Sequence, residues 1–300
     1  MRLLVGVVQL IRPAHWTKNL VLFAAILFSP AKIVLENPDV LLAAAQGFFA
    51  FCLLSAGVYA FNDLVDLSAD RQHPRKKSRP LPSGKVPVWV AVMVAIVAAG
   101  GGVGWAFFVS PNFGWIAAAY LATNIVYTLG AKRLVIVDVM LLSAGFVYRA
   151  AGGVAIVGRF VDKIYLSYWL ILCAFLLSLF LALAKRRHEL AMLGDNAASH
   201  RASLADYSLK MIDQMLAALT AATLVSYSLY TISDDTLLHY GTRNLFWTIP
   251  FVVYGLFRYL YLIYTRSEGG DPTSLLTHDK ATLANVMLWA LTAAGIVYLR

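Results

Sequence analysis

Long apolar segments separated by short polar stretches run through almost the whole chain. A helix that crosses a membrane needs about 20 mostly apolar residues, usually about 17–25. The hydropathy pattern predicts nine such segments, near residues 19–30, 40–61, 86–109, 113–129, 134–157, 164–184, 211–232, 245–264 and 282–299. We therefore expect an all-α integral membrane protein with nine transmembrane helices.

Composition supports a membrane protein. The chain is 60% hydrophobic and 14% charged, whereas soluble domains are about 45–50% apolar and about 25% charged. The formal net charge is +9. In a membrane protein, positive charge in short loops sets the topology, so we expect no nucleic-acid partner.

The basic residues are distributed unevenly between the two sets of loops. If the N-terminus lies inside, most of the 25 lysines and arginines fall in inside segments. The positive-inside rule then predicts a multi-pass protein of a bacterial inner membrane with a cytoplasmic N-terminus. The candidate polar site residues lie in the same loops, so we expect a single active-site opening that faces the cytoplasm.

The most informative stretch follows the second apolar segment. Asp63, Asp66 and Asp70 are three and four residues apart, and Asn62 precedes Asp66 by four, so these side chains share a helical face. Hard oxygen ligands suit Mg²⁺, which typically uses one or two carboxylates plus substrate phosphates. The basic run at residues 71–79 suits the same phosphates. The pattern favours a metal site over a solvated loop that only sets topology.

Other polar residues fall in the same set of loops. They are Lys18 ahead of the first segment, Tyr127, Lys132 and Arg133 after the fourth, and Lys185, Arg186, Arg187, Glu189 and Arg201 after the sixth. Topology accounts for part of the basic residues but not for Glu189 among them. Arg149 lies within the fifth segment, where a charge usually faces a cavity or a partner. A pocket-lining role and a pair with Asp138 both remain open.

With these residues together, the chain resembles the UbiA superfamily of membrane-embedded transferases. The resemblance rests on Asn62, Asp63, Asp66 and Asp70 after the second segment, and on the stretches RPAHWTKN at 12–19, YTLGAKR at 127–133 and KRRHEL at 185–190. It implies a single domain over residues 1–300. That domain is a helical bundle around a central cavity open to the cytoplasmic side, with cap loops near 62–85 and 185–210.

The second motif departs from the usual pattern of that superfamily. Prenyl-transferring members carry an acidic motif after the sixth helix, whereas this chain has the basic stretch KRRHE at 185–189. This substitution resembles the branch that transfers phosphoribose to a lipid during cell-wall precursor synthesis. The resemblance implies 5-phosphoribosyl 1-diphosphate as donor, a decaprenyl-type polyprenyl phosphate as acceptor and Mg²⁺ as cofactor, with Mn²⁺ also suited to oxygen ligands.

The resemblance also implies roles for individual residues. The expected metal ligands are Asn62, Asp63, Asp66 and Asp70, and the expected catalytic carboxylates are Asp63, Asp66 and Glu189. The expected substrate-binding residues are Lys18, Arg79, Tyr127, Lys132, Arg133, Arg149, Lys185, Arg186, Arg187 and Arg201. Among these, Tyr127, Glu189 and Arg201 are expected to place the sugar or a lid.

Two other functions compete with this interpretation. A prenyltransferase that uses a prenyl diphosphate and an aromatic or other small acceptor is disfavoured by the missing second acidic motif. A transporter for a polyprenyl-linked sugar is compatible with Arg149 and Arg258 inside apolar segments. However, the chain lacks the paired Gly/Pro-broken helices of many transporters. The oligomeric state stays open, with a homo-oligomer among the options.

Overall fold

The structure, a computed structural model, describes residues 2–27, 37–73, 76–160, 168–193, 202–266, 275 and 278–298. Every regular element in this part of the chain is helical, which confirms the all-α prediction. Its α-helices are α1 (Arg2–Ile11), α2 (Ala24–Leu27), α3 (Asp39–Val65), α4 (Leu67–Gln72), α5 (Val88–Val109), α6 (Pro111–Leu129), α7 (Val137–Val157), α8 (Tyr168–Leu193), α9 (Leu209–Ile232), α10 (Asp234–Tyr240), α11 (Ile249–Arg266) and α12 (Lys280–Tyr298).

Seven helical segments of the described chain are long and apolar enough to cross a membrane. They are Asp39–Val65, Val88–Val109, Val137–Val157, Tyr168–Leu193, Leu209–Ile232, Asn244–Arg266 and Lys280–Tyr298. Within such a helix every peptide group is paired along the backbone, which lipid requires. The protein is therefore a multi-span membrane protein.

The two remaining predicted spans form helices of a different kind. The segment near 19–30 begins as a 3₁₀ helix, Pro13–Phe23, and continues as α2. Residues 28–30 of this prediction lie outside the described chain. The segment near 113–129 forms α6, a helix of 19 residues. Its polar residues, such as Asn112, Thr123 and Asn124, make it less apolar than the other seven.

The chain divides into two compact units. Unit 1 contains Met1–Ile26, Val34–Lys132 and Tyr148–Ile164, and unit 2 contains Leu27–Ile33, Arg133–Val147 and Tyr165–Arg300. Both units hold residues expected at the site. The acidic stretch, which runs from the end of α3 into α4, belongs to unit 1, and the basic stretch near the end of α8 belongs to unit 2.

In unit 1, glycines let α3 and α5 approach each other closely. A Cβ on Gly102 of α5 would lie 2.8 Å from Leu54 Cγ and 2.9 Å from the carbonyl oxygen of Ala50, both on α3. A Cβ on Gly57 of α3 would lie 2.6 Å from the backbone nitrogen of Ala99 on α5. Small residues allow this approach where lipid gives helices no hydrophobic reason to associate. This contact positions α3, whose last turn contains Asn62 and Asp63.

In unit 2, a buried hydrophobic cluster lies among α8, α9 and α11. Phe180, Ile212 and Leu262 are among its fully buried members. On α11, Arg258 donates two hydrogen bonds to Asp279, at 3.1 and 2.8 Å, just before α12 begins. The bonds from Arg258 and Thr282 hold the pKa of Asp279 well below its usual range. This ion pair fastens α11 to α12.

The glycine contact between α3 and α5 can be tested with a matched pair of variants. We expect Gly102→Ala to lower thermal stability, because its methyl group meets the backbone of α3; overpacking typically costs about 1–3 kcal/mol. Gly101→Ala adds the same methyl group to open space and should keep or slightly raise stability, since alanine favours a helix. Thermal unfolding in detergent compares the two. Equal melting temperatures would show that the helices do not pack this closely.

Candidate active site

The acidic stretch lies where α3 ends and α4 begins. The sequence predicts one continuous helical face here, but α3 ends at Val65 and Asp66 occupies the junction with φ −88° and ψ 3°. Helical bonding continues across it, since the N–H of Asp66 donates to the carbonyl of Asn62 at 3.0 Å. The side-chain contacts separate the motif into two pairs, Asp63 with Asp70 and Asn62 with Asp66.

Both carboxylates of the first pair are buried: Asp70 is 2% exposed, and Asp63 is 1% exposed. Arg12 donates to its Oδ1 at 2.5 Å, and Arg79 Nη1 lies 3.4 Å from the same oxygen. The Arg12 guanidinium also lies 4.9 Å from the centre of the Tyr59 ring. A buried carboxylate is stable only when it is paired and hydrogen-bonded. Arg12 and Arg79 supply these partners.

Arg12 reaches Asp63 from an unusual backbone conformation. Its φ of 51° and ψ of 63° lie in the left-handed region, which is uncommon for a residue other than glycine. Such strain persists only where the surrounding contacts hold it, and here the ion pair with Asp63 does so. Sequence reasoning took Arg12 only as a topology charge, although its place at the start of RPAHWTKN signals a further role.

Arg79 joins the two carboxylates of the first pair. Its Nη1 donates to Asp70 Oδ2 at 2.8 Å and lies 3.4 Å from Asp63 Oδ1. Lys76 Nζ lies 3.6 Å from the other oxygen of Asp70. The sequence placed Lys76 in the basic run at residues 71–79 but not among the expected site residues. Asp63 and Asp70 thus converge on one cationic nitrogen, although they are two helical turns apart.

The second pair faces the end of α6 and the short helix that follows it. Lys132 donates to Asp66 Oδ1 at 2.5 Å, and Thr128 donates to the Asn62 amide oxygen at 3.5 Å. Asp66 and Lys132 are both partly exposed, at 28% and 17% of their side chains. The structure therefore brings together Lys132 and Asp66, which the sequence assigned to phosphate and to metal respectively.

The donor set of this cluster fits a divalent cation that is shared with phosphate. Among the described residues, no three His, Cys, Asp or Glu side chains lie close enough to hold a metal ion by themselves. Mg²⁺ usually takes one or two carboxylates and completes its shell with water and substrate phosphates. The convergence of Asp63 and Asp70 on one cationic group supplies those two carboxylates.

Arg149 lies in a second buried network of unit 1. Its Nε donates to the amide oxygen of Asn19 at 2.7 Å, and its Nη2 donates to the hydroxyl of Tyr120 at 3.1 Å. The guanidinium also lies 4.9 Å from the centre of the Tyr120 ring and 5.7 Å from that of Phe51. Arg149 therefore links α7 to the 3₁₀ helix Pro13–Phe23, where Lys18 is half-buried.

The three basic residues of α8 point in different directions, as their consecutive positions predict. Lys185 is exposed. Arg186 is 2% exposed and donates Nε to Asp138 Oδ2 at 3.1 Å, with Glu189 as a second carboxylate partner. Arg187 donates to Asp213 at 2.6 Å and stacks 4.2 Å from the centre of the Tyr264 ring. Of the three, Lys185 is the one with an exposed side chain.

The remaining expected site residues are Tyr127, Arg133 and Arg201. Tyr127 is half-buried near the end of α6, and Arg133 is exposed at the end of the short helix Ala131–Arg133. Arg201 lies outside the described residues, so its expected role stays a prediction.

Comparison with known proteins identifies the family. Residues 20–286 match the model of the UbiA prenyltransferase family. A protein of Mycobacterium tuberculosis named decaprenyl-phosphate phosphoribosyltransferase is 31% identical over 297 residues, which cover 98% of this chain and 95% of that protein. A protein of the same name from Mycolicibacterium smegmatis is 30% identical over 302 residues, which cover 98% of this chain and 92% of that protein.

A solved structure shows the same fold. A UbiA homologue from Archaeoglobus fulgidus bound to DMAPP and Mg²⁺ superimposes with a TM-score of 0.71, covering 97% of this chain and 99% of that chain. Its sequence is 16% identical, so the likeness concerns the fold alone. The chain therefore belongs to the UbiA prenyltransferase family and is a membrane-spanning enzyme.

Proposed function

We propose that this enzyme transfers 5-phosphoribose from 5-phosphoribosyl 1-diphosphate to a polyprenyl phosphate of the decaprenyl type. A phosphate oxygen of the lipid forms a bond to C1 of the ribose, and the bond from C1 to the diphosphate breaks. Pyrophosphate leaves with the bonding electrons. The acceptor oxygen is already anionic near neutral pH, so this reaction needs positioning more than a strong base.

One observation carries the proposal. Relatives that share about 30% identity with nearly the whole chain bear the name decaprenyl-phosphate phosphoribosyltransferase. The basic stretch near the end of α8 supports it, because a donor with two phosphate ends and a phosphate acceptor need more cationic groups than a prenyl diphosphate does. Arginine and lysine are the side chains that bind phosphate by charge-assisted hydrogen bonds.

The acidic cluster of unit 1 is suited to the diphosphate. We assign Asn62, Asp63, Asp66 and Asp70 to a divalent cation, taken to be Mg²⁺. When bound, such an ion neutralises charge that develops on the leaving oxygens. Lys18, Arg79 and Lys132 would bind diphosphate oxygens. Arg79 and Lys132 already lie beside the carboxylates. A diphosphate that binds together with its cation would therefore meet basic side chains for its oxygens and carboxylates for the cation in one place.

The polar residues of unit 2 are suited to the 5-phosphate and the sugar. Arg133 and Lys185 are exposed and would bind phosphate, as would Arg187, two residues after Lys185 on α8. Arg149 belongs to unit 1 and is assigned to substrate binding separately. Glu189 and Arg201 would place the ribose, and Glu189 would stabilise the positive charge at C1. Tyr127 is assigned to the sugar as well, although it belongs to unit 1. Arg186 differs from its neighbours, because it is buried against two carboxylates.

The proposal also includes the finer architecture. Nine transmembrane helices would form a single domain around a cavity that opens to the cytoplasm of the cell, with both chemical clusters on that side of an inner membrane. The count of basic residues in the loops supports this orientation. The two cap loops would lie near residues 62–85 and 185–210.

A transfer assay on purified protein tests donor, acceptor and metal together. We expect label from 5-phosphoribosyl 1-diphosphate to enter the lipid phase when polyprenyl phosphate and Mg²⁺ are present, and chelation of the metal to abolish this transfer. Label that stays aqueous with several lipid lengths would contradict the proposal. Consumption of a labelled prenyl diphosphate with an aromatic acceptor would instead favour prenyl transfer.

The metal assignment can be tested at Asp66. Because Asp66 is partly exposed, Asp66→Asn leaves no fully buried charge unpaired. We expect turnover to fall by about a hundredfold, within the range for loss of one group that stabilises developing charge, and the Mg²⁺ concentration for half-maximal activity to rise. Asp39→Asn, in the first turn of the same helix, is the matched control. Unchanged turnover and Mg²⁺ dependence in Asp66→Asn would refute the assignment.

The orientation can be tested with single introduced cysteines. Lys77 and Leu238 are both exposed, whereas the native Cys52 and Cys173 are buried. We expect a membrane-impermeant maleimide to label Leu238→Cys on intact cells and Lys77→Cys only after the cells are opened. The reverse pattern would place the acidic cluster on the outer side.

A further inference from the structure

A buried carboxylate in unit 2 has no role in the function described so far. Asp138, near the start of α7, is 0% exposed. Its Oδ2 accepts from Arg186 Nε and from the Ser203 hydroxyl, each at 3.1 Å, and its Oδ1 accepts from the Tyr207 hydroxyl at 3.0 Å. Both oxygens are thus paired, as burial of a charge requires. Neither Ser203 nor Tyr207 was expected at the site.

The contacts of Asp138 join segments that lie far apart in the chain. Arg186 is near the end of α8, and Ser203 lies on the 3₁₀ helix Ala202–Asp206. Tyr207 follows that helix and is also buried. Burial raises the pKa of the Tyr207 hydroxyl to about 12, so this group keeps its proton and donates to Asp138 throughout the physiological range.

Tyr207 has a second contact that bears on the basic residues. Its hydroxyl oxygen accepts a 2.7 Å hydrogen bond from the backbone N–H of Ile136. Ile136 has a φ of 67°, which is an outlier for a β-branched residue, and strain of this kind persists where neighbours hold it. Arg133 lies three residues before Ile136. The hydroxyl therefore fixes the turn that directly follows Arg133, a proposed phosphate-binding residue.

Arg186 links the buried carboxylate of Asp138 to the carboxylate of Glu189. The guanidinium pairs with Asp138 on one side and with Glu189, one turn along α8, on the other. Exposure rises along this chain of charges, from fully buried Asp138 and Arg186 to Glu189, whose side chain is 27% exposed. With two carboxylates on one guanidinium, Arg186 is placed to orient Glu189 more than to reach a phosphate.

We propose that Asp138 is a positioning residue for the transfer reaction. Its carboxylate orients Arg186, which in turn orients Glu189. Through Tyr207, Asp138 also fixes the turn that follows Arg133. Arg186, Ser203 and Tyr207 are positioning residues of the same centre. This inference rests on the proposed function in two respects, the assignment of Glu189 to the transferred sugar and that of Arg133 to phosphate. It adds a layer of buried residues that the reaction needs although none of them touches the substrate.

Matched hydroxyl variants test the inference first. Tyr207→Phe removes the group that bonds Asp138 and Ile136 but keeps the ring. Tyr227→Phe is the control, because its hydroxyl is also buried and bonded, to Thr248 at 2.7 Å and Trp289 at 2.9 Å, in a different cluster of unit 2. We expect Tyr207→Phe to lower kcat by about tenfold with a smaller change in KM for the lipid, and Tyr227→Phe to stay close to wild type. Equal effects in the two variants would overturn the inference.

A double-mutant cycle then asks whether Asp138 acts through Glu189. We expect Asp138→Asn and Glu189→Gln to be non-additive, so that the double variant is about as slow as the slower single variant. If Asp138→Asn is too unstable to purify, Ser203→Ala takes its place, because it removes one donor and leaves the ion pair. Additive effects would overturn the inference.

The wild-type assay separates failure of the inference from failure of the proposed function. If the wild-type enzyme consumes a prenyl diphosphate and transfers no phosphoribose, the proposed function is wrong. The same cycle is then measured with the donor that the enzyme uses. Non-additivity there would still support the positioning role of Asp138, and additivity would refute it.

Discussion

A carboxylate buried at the end of a membrane-spanning helix has to be balanced by cations and hydrogen bonds, because lipid supplies neither. Asp63 is in this position in unit 1. Its partners come from both directions along the chain: Arg12 is 51 residues away and Arg79 is 16 residues away. Neutralisation of the buried charge on Asp63 thus fixes the positions of two segments. One is the segment before the first apolar stretch, which contains Arg12, and the other is the loop after α4, which contains Arg79.

Unit 2 meets the same constraint at Asp138, with a different solution. Asp63 is balanced by two arginines, whereas Asp138 has one arginine and two hydroxyl groups. Each centre also lies beside strained backbone. Within the described residues, the non-glycine residues with positive φ are Arg12 and Ile136. Arg12 pairs with Asp63, and Ile136 is bonded to the tyrosine that donates to Asp138, so the polar contacts that balance each charge also hold the strain.

The sequence predicts two purposes for the basic residues of this enzyme, setting topology and binding phosphate, and it cannot separate them. A lysine or arginine in a short inside loop sets topology whatever else it contacts. The structure separates the roles at Lys132, Arg186 and Arg187, which pair with Asp66, Asp138 and Asp213, while Lys185 stays exposed. Arg186 is thus engaged by a buried carboxylate. An exposed lysine is available to a phosphate.

The sequence by itself determined the helical class, seven of the spans and the acidic and basic stretches, since hydropathy and local spacing are properties of neighbouring residues. It also supported the family, through motifs that keep their spacing. Only the tertiary structure decided which charges pair. Arg12 with Asp63 and Arg186 with Asp138 are contacts between distant segments, and local periodicity carries no information about which cation meets which carboxylate. Ser203 and Tyr207 escaped notice for the same reason: a serine and a tyrosine between two helices are ordinary until folding brings them to a buried carboxylate.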